Sequence, residues 1–234
     1  MHLCKAIEIH LLHNTCKMKN NSELQKDVLN AIKWEPTLHA AEIGVTAKDG
    51  VVTLSGNVSS YSKKISAEDA VKKVRGVKAI AEDIIVDLGN IDAKDDSKIA
   101  NSIVKAYQYF DEVLNDNLKI IVENGNVYLD GQVDWKLRKD AYEESIKNIA
   151  GIKKITNVIK VKAESTDFLE RSKVESALTR HCSIDDKIVK VEVKGDTVKL
   201  TGLVHSLHQK EEADRLAWKA KGVGLVENEL AVIY

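Results

Sequence analysis

The sequence contains one pattern three times, and this internal repeat restricts the fold more than any other feature. Each copy has a valine- and leucine-rich segment with a central glycine, then a segment of helical periodicity, then a second glycine and a last apolar segment. The two glycines are 20 residues apart in every copy: Gly56 and Gly76, Gly131 and Gly151, and Gly202 and Gly222. Successive copies are 75 and 71 residues apart. This spacing predicts three small tandem domains rather than one large core.

The first copy predicts the element order helix, strand, strand, helix, strand. The first helix is expected to begin near the candidate N-cap Ser22 and to end before Pro36. Two alternating segments then meet at Asp49-Gly50, which is typical of a tight hairpin turn. The same turn is expected at Asn124-Gly125 and Gly195-Asp196. The second helix should bury a stripe formed by Ala67, Ala70, Val71 and Val74.

The last two strands of each copy flank a helix, so we expect them to be parallel with a right-handed crossover. The expected fold class is α+β: three tandem αββαβ domains, each a mixed three-stranded sheet with two helices on one face. The repeated glycines have structural roles in this interpretation, because none has the spacing or the following lysine of a phosphate-binding loop. The middle-strand glycines should allow close approach of another backbone, and the second set should end helices.

The repeats define the expected domain boundaries as 18–89, 90–163 and 164–234, named here repeat 1, repeat 2 and repeat 3. Residues 1–17 lie outside the pattern, and we expect a disordered or loosely helical leader with Met18 as a natural alternative start. The leader has charged residues within its apolar run and no small-residue cleavage site, which disfavours a signal peptide. Three cysteines without a paired motif are typical of a reducing compartment, so the expected location is cytoplasmic.

The repeated motif resembles the BON domain family of bacterial proteins. The resemblance is carried by V-x-L-x-G-x-V, then a helix, then glycine with valine or isoleucine, then an apolar strand with a central asparagine. Repeat 1 departs from it at Glu82, where the other copies have Asn157 and Asn228. The other matching positions are Val52, Leu54, Gly56, Val58, Gly76 and Val77 in repeat 1, and Val127, Leu129, Gly131, Val133, Gly151 and Ile152 in repeat 2, and Val198, Leu200, Gly202, Val204, Gly222 and Val223 in repeat 3.

This resemblance implies a non-enzymatic binding or scaffold module without a cofactor. BON domains are associated with phospholipid membranes, envelope integrity and osmotic stress, and many relatives are periplasmic. Two alternatives remain open. One is an ion or small-ligand sensor, since a cytoplasmic relative with one BON and one LysM domain binds potassium, although this chain has no LysM-like segment. The other is a chaperone-like module that binds protein partners.

The candidate lipid-binding site is the start of the second helix in repeat 2, where an aromatic side chain is followed by three cations. These residues are Trp135, Lys136, Arg138 and Lys139. An interfacial tryptophan with cations suits a layer of anionic headgroups. The alternative is a solvated helix start with Trp135 packed on a neighbouring domain. The corresponding stretches of repeats 1 and 3 contain no such cluster.

Composition excludes some other classes. The chain has 35 basic and 36 acidic residues, without the basic surplus of a nucleic-acid-binding domain. His205 and His208, with His181 and Cys182, lack the spacing of a zinc site, so no metal site is expected. No nucleophile motif is present either. The oligomeric state is left open by the sequence.

Overall fold

A computed structural model of the chain describes residues 19–89, 95–110, 118–161, 189–220 and 223–233. The expected leader 1–17 lies outside the described residues. So do the expected first helix of repeat 3, the glycine at 222, and the two candidate ligands His181 and Cys182.

Repeat 1 has the predicted order of elements and the predicted mixed sheet. Strand β2 is central, antiparallel to β1 and parallel to β3. The turn between β1 and β2 is Asp49-Gly50, both with positive φ (52° and 86°) as a type I′ hairpin requires. The elements are α1 (Asn21–Lys33), a 3-10 turn (Ala40–Glu42), β1 (Ile43–Lys48), β2 (Val51–Val58), α2 (Tyr61–Lys72) and β3 (Ala79–Val86).

The start of α1 differs from the sequence-based expectation, because Asn20 rather than Ser22 is the N-cap. The side chain of Asn20 accepts a hydrogen bond from the amide of Glu23 at 2.8 Å. The Glu23 carboxylate in turn accepts one from the amide of Asn20 at 3.1 Å. This reciprocal capping box satisfies two amides at once and starts the helix two residues earlier than expected.

The core of repeat 1 lies between the sheet and both of its helices, as predicted. Alternate residues of β2 are buried against α1 and α2, so both helices cover the same face of the sheet. Burial of one such aliphatic side chain stabilises the fold by about 1.5–3 kcal/mol. The predicted stripe of α2 is buried throughout, with exposed fractions of 9% or less at Ala67, Ala70, Val71 and Val74.

Repeat 2 follows the same plan, but its sheet is divided. Gly131 separates the middle strand into two pieces, and the amide of Gly131 donates to the Asp130 carboxylate at 2.8 Å instead of continuing a regular ladder. A three-stranded sheet, β4-β5-β7, and a two-stranded ladder, β6-β8, result. The elements are α3 (Asp96–Phe110), β4 (Lys119–Glu123), β5 (Asn126–Asp130), β6 (Gln132–Val133), α4 (Lys136–Ile146), β7 (Lys154–Asn157) and β8 (Lys160–Val161).

In repeat 3, the described elements reproduce the sheet and the second helix of repeat 1. Strand β10 is central, antiparallel to β9 and parallel to β11. The stripe of its helix is buried at Ala213, Leu216 and Ala217. The elements are β9 (Val189–Lys194), β10 (Thr197–Val204), α5 (Leu207–Ala217) and β11 (Leu225–Val232).

Three of the repeated glycines, Gly56, Gly76 and Gly151, have the structural roles expected from the sequence. Gly56 has a φ of 133°, and a Cβ atom there would lie 2.1 Å from the carbonyl oxygen of Glu42. The backbone before β1 therefore approaches the middle strand too closely for any side chain. Gly76 and Gly151 follow second helices with φ of 93° and 100°, a region that disfavours other residues.

Candidate functional site

The start of α4 differs from the start of the corresponding helices in repeats 1 and 3. Ser60 caps α2, and Ser206 caps α5, by accepting hydrogen bonds from backbone amides at 3.4 and 3.2 Å. Trp135 is the N-cap of α4 and makes no side-chain cap bond. Repeat 2 thus has an aromatic residue where its sister repeats have a capping serine.

Two apolar side chains project from this helix start. Trp135 is 48% exposed and Leu137 is 63% exposed. Leu137 was not among the residues that the sequence pattern selected. Alignment of the three repeats on their glycines distinguishes Leu137, because the equivalent positions in the other repeats are the polar residues Ser62 and His208.

The cations around this apolar pair have partners within repeat 2. The Lys136 Nζ atom lies 3.1 Å from the Asp140 carboxylate, one turn further along the helix. Arg138 lies 3.6 Å from the carboxylate of Asp134. These are partly exposed i,i+4 pairs, which stabilise a helix by only about 0.3–0.5 kcal/mol each, so they do not prevent either cation from facing an anionic surface.

Lys139 has a contact that recurs in repeat 1. Its Nζ atom donates to the carbonyl oxygen of Ile159 at 2.7 Å. Lys64, at the equivalent position, donates to the carbonyl of Ile84 at 3.0 Å. Each lysine therefore joins the second helix of its repeat to the last strand. This structural role is independent of any role of Lys139 in lipid binding.

The asparagine of the repeated motif supports the same junction from the strand side. The Asn157 amide donates to the carbonyl of Lys139 at 3.2 Å, and the Asn228 amide donates to that of Lys210 at 2.8 Å. In repeat 1 the equivalent Glu82 instead lies 3.5 Å from the Lys64 Nζ atom. Burial raises the pKa of the Glu82 carboxyl, and the positive charge of Lys64 opposes this effect.

Other candidate residues are engaged in structural contacts. The Nη2 atom of Arg75 lies 2.9 Å from the Nδ1 atom of His205. Within the described ranges, no group of three or more histidine, cysteine, aspartate or glutamate side chains is placed to hold a metal ion.

A cleft of about 480 Å³ borders the end of repeat 1 and the hairpin turn of repeat 2. Its Asp96 carboxylate accepts hydrogen bonds from the amides of Asn124 and Gly125 at 2.7 and 2.9 Å. Asp95 accepts a bond from the Ser97 hydroxyl at 2.7 Å. These carboxylates hold the local backbone, and the cleft is less distinctive than the apolar pair at the start of α4.

Among the described helices, none is both long enough and apolar enough to cross a lipid bilayer.

Comparison with known proteins identifies the family to which the repeat belongs. The family model described as the BON domain matches the chain three times, at residues 20–87, 93–163 and 166–234. The chain is 29% identical over 151 residues to the Osmotically-inducible protein Y of Escherichia coli (strain K12), covering 61% of this chain and 73% of that protein. It is 32% identical over 123 residues to the 21 kDa hemolysin of Actinobacillus pleuropneumoniae. That match covers 51% of this chain and 62% of the hemolysin, a little under two thirds of its length.

Comparison with solved structures gives a more distant likeness. The C-terminal domain of CdsD, the structural protein of the type III secretion system of Chlamydia trachomatis, is 14% identical, with 92% of this chain and 100% of that chain covered. The TM-score of 0.24 is too low to support any functional argument. The family model covers nearly the whole sequence, in register with the repeated glycines and strands. The chain therefore belongs to the BON domain family.

Proposed function

We propose that this chain is a non-catalytic BON-repeat protein that binds an anionic phospholipid surface through the start of α4. We place this activity in the response to osmotic or envelope stress, at the cytoplasmic side of the membrane. The observation that carries the proposal is the exposed pair Trp135 and Leu137, which replaces polar residues of the other two repeats.

The chemistry of this surface suits a lipid headgroup layer. Tryptophan favours the membrane interface because its ring is apolar and its indole nitrogen can still donate to water or a headgroup. Leu137 adds an aliphatic side chain two residues further along the chain. Lys136 and Arg138 are the residues that directly follow Trp135 and Leu137. Each cation near an anionic membrane contributes about 1 kcal/mol. Two apolar side chains and two cations thus support weak, reversible binding that requires anionic lipid.

The relatives support the physiological part of the proposal. One of them is named as osmotically inducible, and the other is named as a hemolysin. Lysis of a blood cell is an event at a membrane. These names describe the relatives, and they make osmotic stress and membrane surfaces the first conditions to test for this chain.

Vesicle flotation tests the proposal directly. The full chain should float with vesicles that contain phosphatidylglycerol and remain in the dense fraction with phosphatidylcholine alone. Flotation should decrease as salt rises from about 0.1 M, where the screening length is about 10 Å, to about 1 M, where it is about 3 Å. The double variant Trp135→Ser with Leu137→Ser should lose most of the flotation.

The matched control is Trp34→Ser, because Trp34 is also a surface tryptophan, 86% exposed, at the end of α1 in repeat 1. This variant should float like the wild type. Equal flotation of the wild type and the Trp135/Leu137 variant would remove this site. A wild type that binds no vesicle would reject the membrane proposal and favour the ion-sensor or protein-partner interpretation.

A further inference from the structure

The second helix of repeat 1 contacts both of the other repeats. Tyr61, Lys136 and Leu207 are equivalent residues that begin α2, α4 and α5. Tyr61 of repeat 1 packs in the core of repeat 2, Leu207 of repeat 3 packs on repeat 1, and Lys136 of repeat 2 acts electrostatically on Asp214 of repeat 3. Among the described residues, the same position thus lies where repeats 1 and 2, repeats 3 and 1, and repeats 2 and 3 approach each other, and we name these places seam 1–2, seam 3–1 and seam 2–3.

Seam 1–2 is apolar. Tyr61 is only 6% exposed and belongs to the buried core cluster of repeat 2, and Ile65 of the same helix packs against that cluster. The Tyr61 hydroxyl lies within hydrogen-bonding reach of the backbone of Ile155. Burial, together with the nearby charge of Glu143, raises the pKa of Tyr61 to about 12. A buried aromatic side chain thus fixes repeat 1 to repeat 2.

Seam 3–1 combines a small apolar contact with charged groups. Leu207 is only partly buried against the core of repeat 1. The Nζ atom of Lys72 lies 2.9 Å from Glu211 of repeat 3 and 2.9 Å from Glu68 of its own helix. Burial disfavours the charge on Lys72, but hydrogen bonds to the two carboxylates raise its pKa overall.

A second polar contact completes seam 3–1. The guanidinium of Arg75 lies 2.9 Å from the ring of His205, and the amide of Gly76 donates to the carbonyl of His205 at 3.1 Å. Arg75 is exposed and His205 is partly buried, so solvent and salt reach this contact from the Arg75 side.

Seam 2–3 has a charged side chain where seam 1–2 has its tyrosine. Lys136 bonds Asp140 at 3.1 Å, and both groups act electrostatically on Asp214 of repeat 3. Burial raises the pKa of the Asp214 carboxyl, with Lys136 opposing that rise and Asp140 adding to it. Among the described residues, the core cluster of repeat 3 contains no side chain from repeat 2.

We propose that repeats 1 and 2 form a permanent pair and that rising ionic strength releases repeat 3 from it. Among the described residues, repeat 3 contacts repeat 1 through the Lys72–Glu211 ion pair, the Arg75–His205 hydrogen bond and the partly buried Leu207. Screening weakens the attraction between the partly exposed charges of Lys72 and Glu211, whereas sodium chloride does not weaken the burial of Tyr61. The inference does not rest on membrane binding and requires no ligand.

Distance measurements between spin labels test the release. The full chain, with its three native cysteines replaced by serine, is labelled at pairs of exposed strand positions. The pair Asp83→Cys with Glu227→Cys reports on repeats 1 and 3, and the pair Asp83→Cys with Glu123→Cys reports on repeats 1 and 2. Between about 0.05 and 1 M sodium chloride, the first distance distribution should broaden and shift to longer distances. The second distribution should stay unchanged.

Two controls separate charge from other causes. Sucrose at the osmolality of the high-salt sample should leave both distributions unchanged, because it adds no ions. Glu211→Gln should shift the 1–3 distribution at low salt, whereas the exposed Lys73→Gln, next to Lys72 on the same helix end, should not. A 1–3 distribution that stays narrow in 1 M salt would contradict the proposal. So would a 1–2 distribution that broadens together with it.

Discussion

In each repeat, one residue of the last strand connects that strand to the second helix. This residue is Glu82 in repeat 1, Asn157 in repeat 2 and Asn228 in repeat 3. Each asparagine amide donates to a helix carbonyl, and its oxygen accepts from the amide two residues later, at 3.2 and 3.3 Å. Glu82 can accept hydrogen bonds but cannot donate one when ionised. Repeat 1 therefore replaces a two-way bridge by an ion pair with Lys64.

The variant Glu82→Asn should stabilise the chain by about 1 kcal/mol at neutral pH, because it restores one net hydrogen bond to the carbonyl of Lys64. Since burial raises the pKa of Glu82 above its usual 4.5, the folded wild type binds this proton more tightly than the unfolded chain does. Protonation of Glu82 removes the cost of burying its charge as pH falls through the folded pKa towards 4.5. The stability advantage of the variant over the wild type should therefore shrink in this pH range. Urea unfolding at several pH values measures both effects. An advantage that grows in acid would contradict this assignment.

Gly56→Ala should destabilise repeat 1 by about 2 kcal/mol or more. The new methyl group would meet the Glu42 carbonyl at 2.1 Å, and the φ of 133° is itself strained for alanine. Gly89→Ala is the control, because its φ is also positive, at 57°, but nothing lies within 4 Å of the new atom. Denaturant unfolding of the two variants separates backbone strain from steric overlap. Equal losses of stability would show that close approach has no role.

The start of α4, at the candidate site, lacks the side-chain N-cap that normally stabilises the first turn of a helix. The positions that cap α2 and α5 with serine are occupied in α4 by a half-exposed tryptophan without a cap bond. Loss of such a cap destabilises a helix by about 1 kcal/mol. A binding surface explains why the apolar residue stands at this element, and stability alone does not.

Trp135→Ser should therefore raise the free energy of unfolding by about 1 kcal/mol while reducing vesicle binding. Thermal unfolding and flotation of the same samples provide the two readouts. His208→Leu, at the position equivalent to Leu137, is a useful comparison, since it adds an exposed leucine to repeat 3 without removing the cap Ser206. A Trp135→Ser chain that loses stability would show that Trp135 packs on its surroundings instead.

The elements with the strongest local signals are the ones that the sequence predicts correctly. The hairpin turns at Asp49-Gly50 and Asn124-Gly125 require positive φ, and the stripe of α2 has helical spacing, so neither depends on distant contacts. The cap at Asn20 was missed because serine and asparagine are equally good candidates until the reciprocal bond from Glu23 is seen. Trp34, the C-cap of α1, is 86% exposed, because Leu24, Val28 and Ile32 already fill the buried face of α1.

The candidate site was predictable only in part. An aromatic residue beside cations is visible in the sequence, but the exposure of Leu137 and the structural bond of Lys139 depend on where the last strand of repeat 2 lies. The sequence does not predict the contacts between repeats either, because nothing in the local pattern distinguishes Tyr61 and Leu207 from other residues that begin a helix. Short-range periodicity identifies the face that a helix buries, and it does not identify the neighbouring domain that covers its first residue.

In the whole molecule, the repeats depend on one another unequally. Repeat 1 supplies a core residue of repeat 2, whereas the described residues of repeat 3 contact repeat 1 through the Lys72–Glu211 ion pair, the Arg75–His205 hydrogen bond and the partly buried Leu207. Small domains bury a limited fraction of their surface, so such a shared residue has a large effect on stability. This difference supports the proposal that repeats 1 and 2 form a pair to which repeat 3 is attached by charge.

Tyr61→Ala should destabilise repeat 2 although the change lies in repeat 1. Loss of a large buried side chain costs about 3 kcal/mol. Hydrogen exchange resolved by peptide should accordingly show faster exchange in β7 and α4, which border the cavity. Leu207→Ala provides the comparison, since Leu207 is only partly buried and its removal should affect repeat 1 less. Faster exchange confined to repeat 1 in the Tyr61 variant would contradict the shared core.

Quenching of Trp135 fluorescence by brominated lipids tests the central claim most directly. A chain with Trp34→Phe and Trp218→Phe retains Trp135 as its single tryptophan. On addition of anionic vesicles, its emission should shift to shorter wavelength, and lipids brominated near the headgroup end of the acyl chain should quench it. Zwitterionic vesicles should do neither. A chain that floats with anionic vesicles while Trp135 keeps an unshifted, unquenched emission would show that the membrane is bound elsewhere.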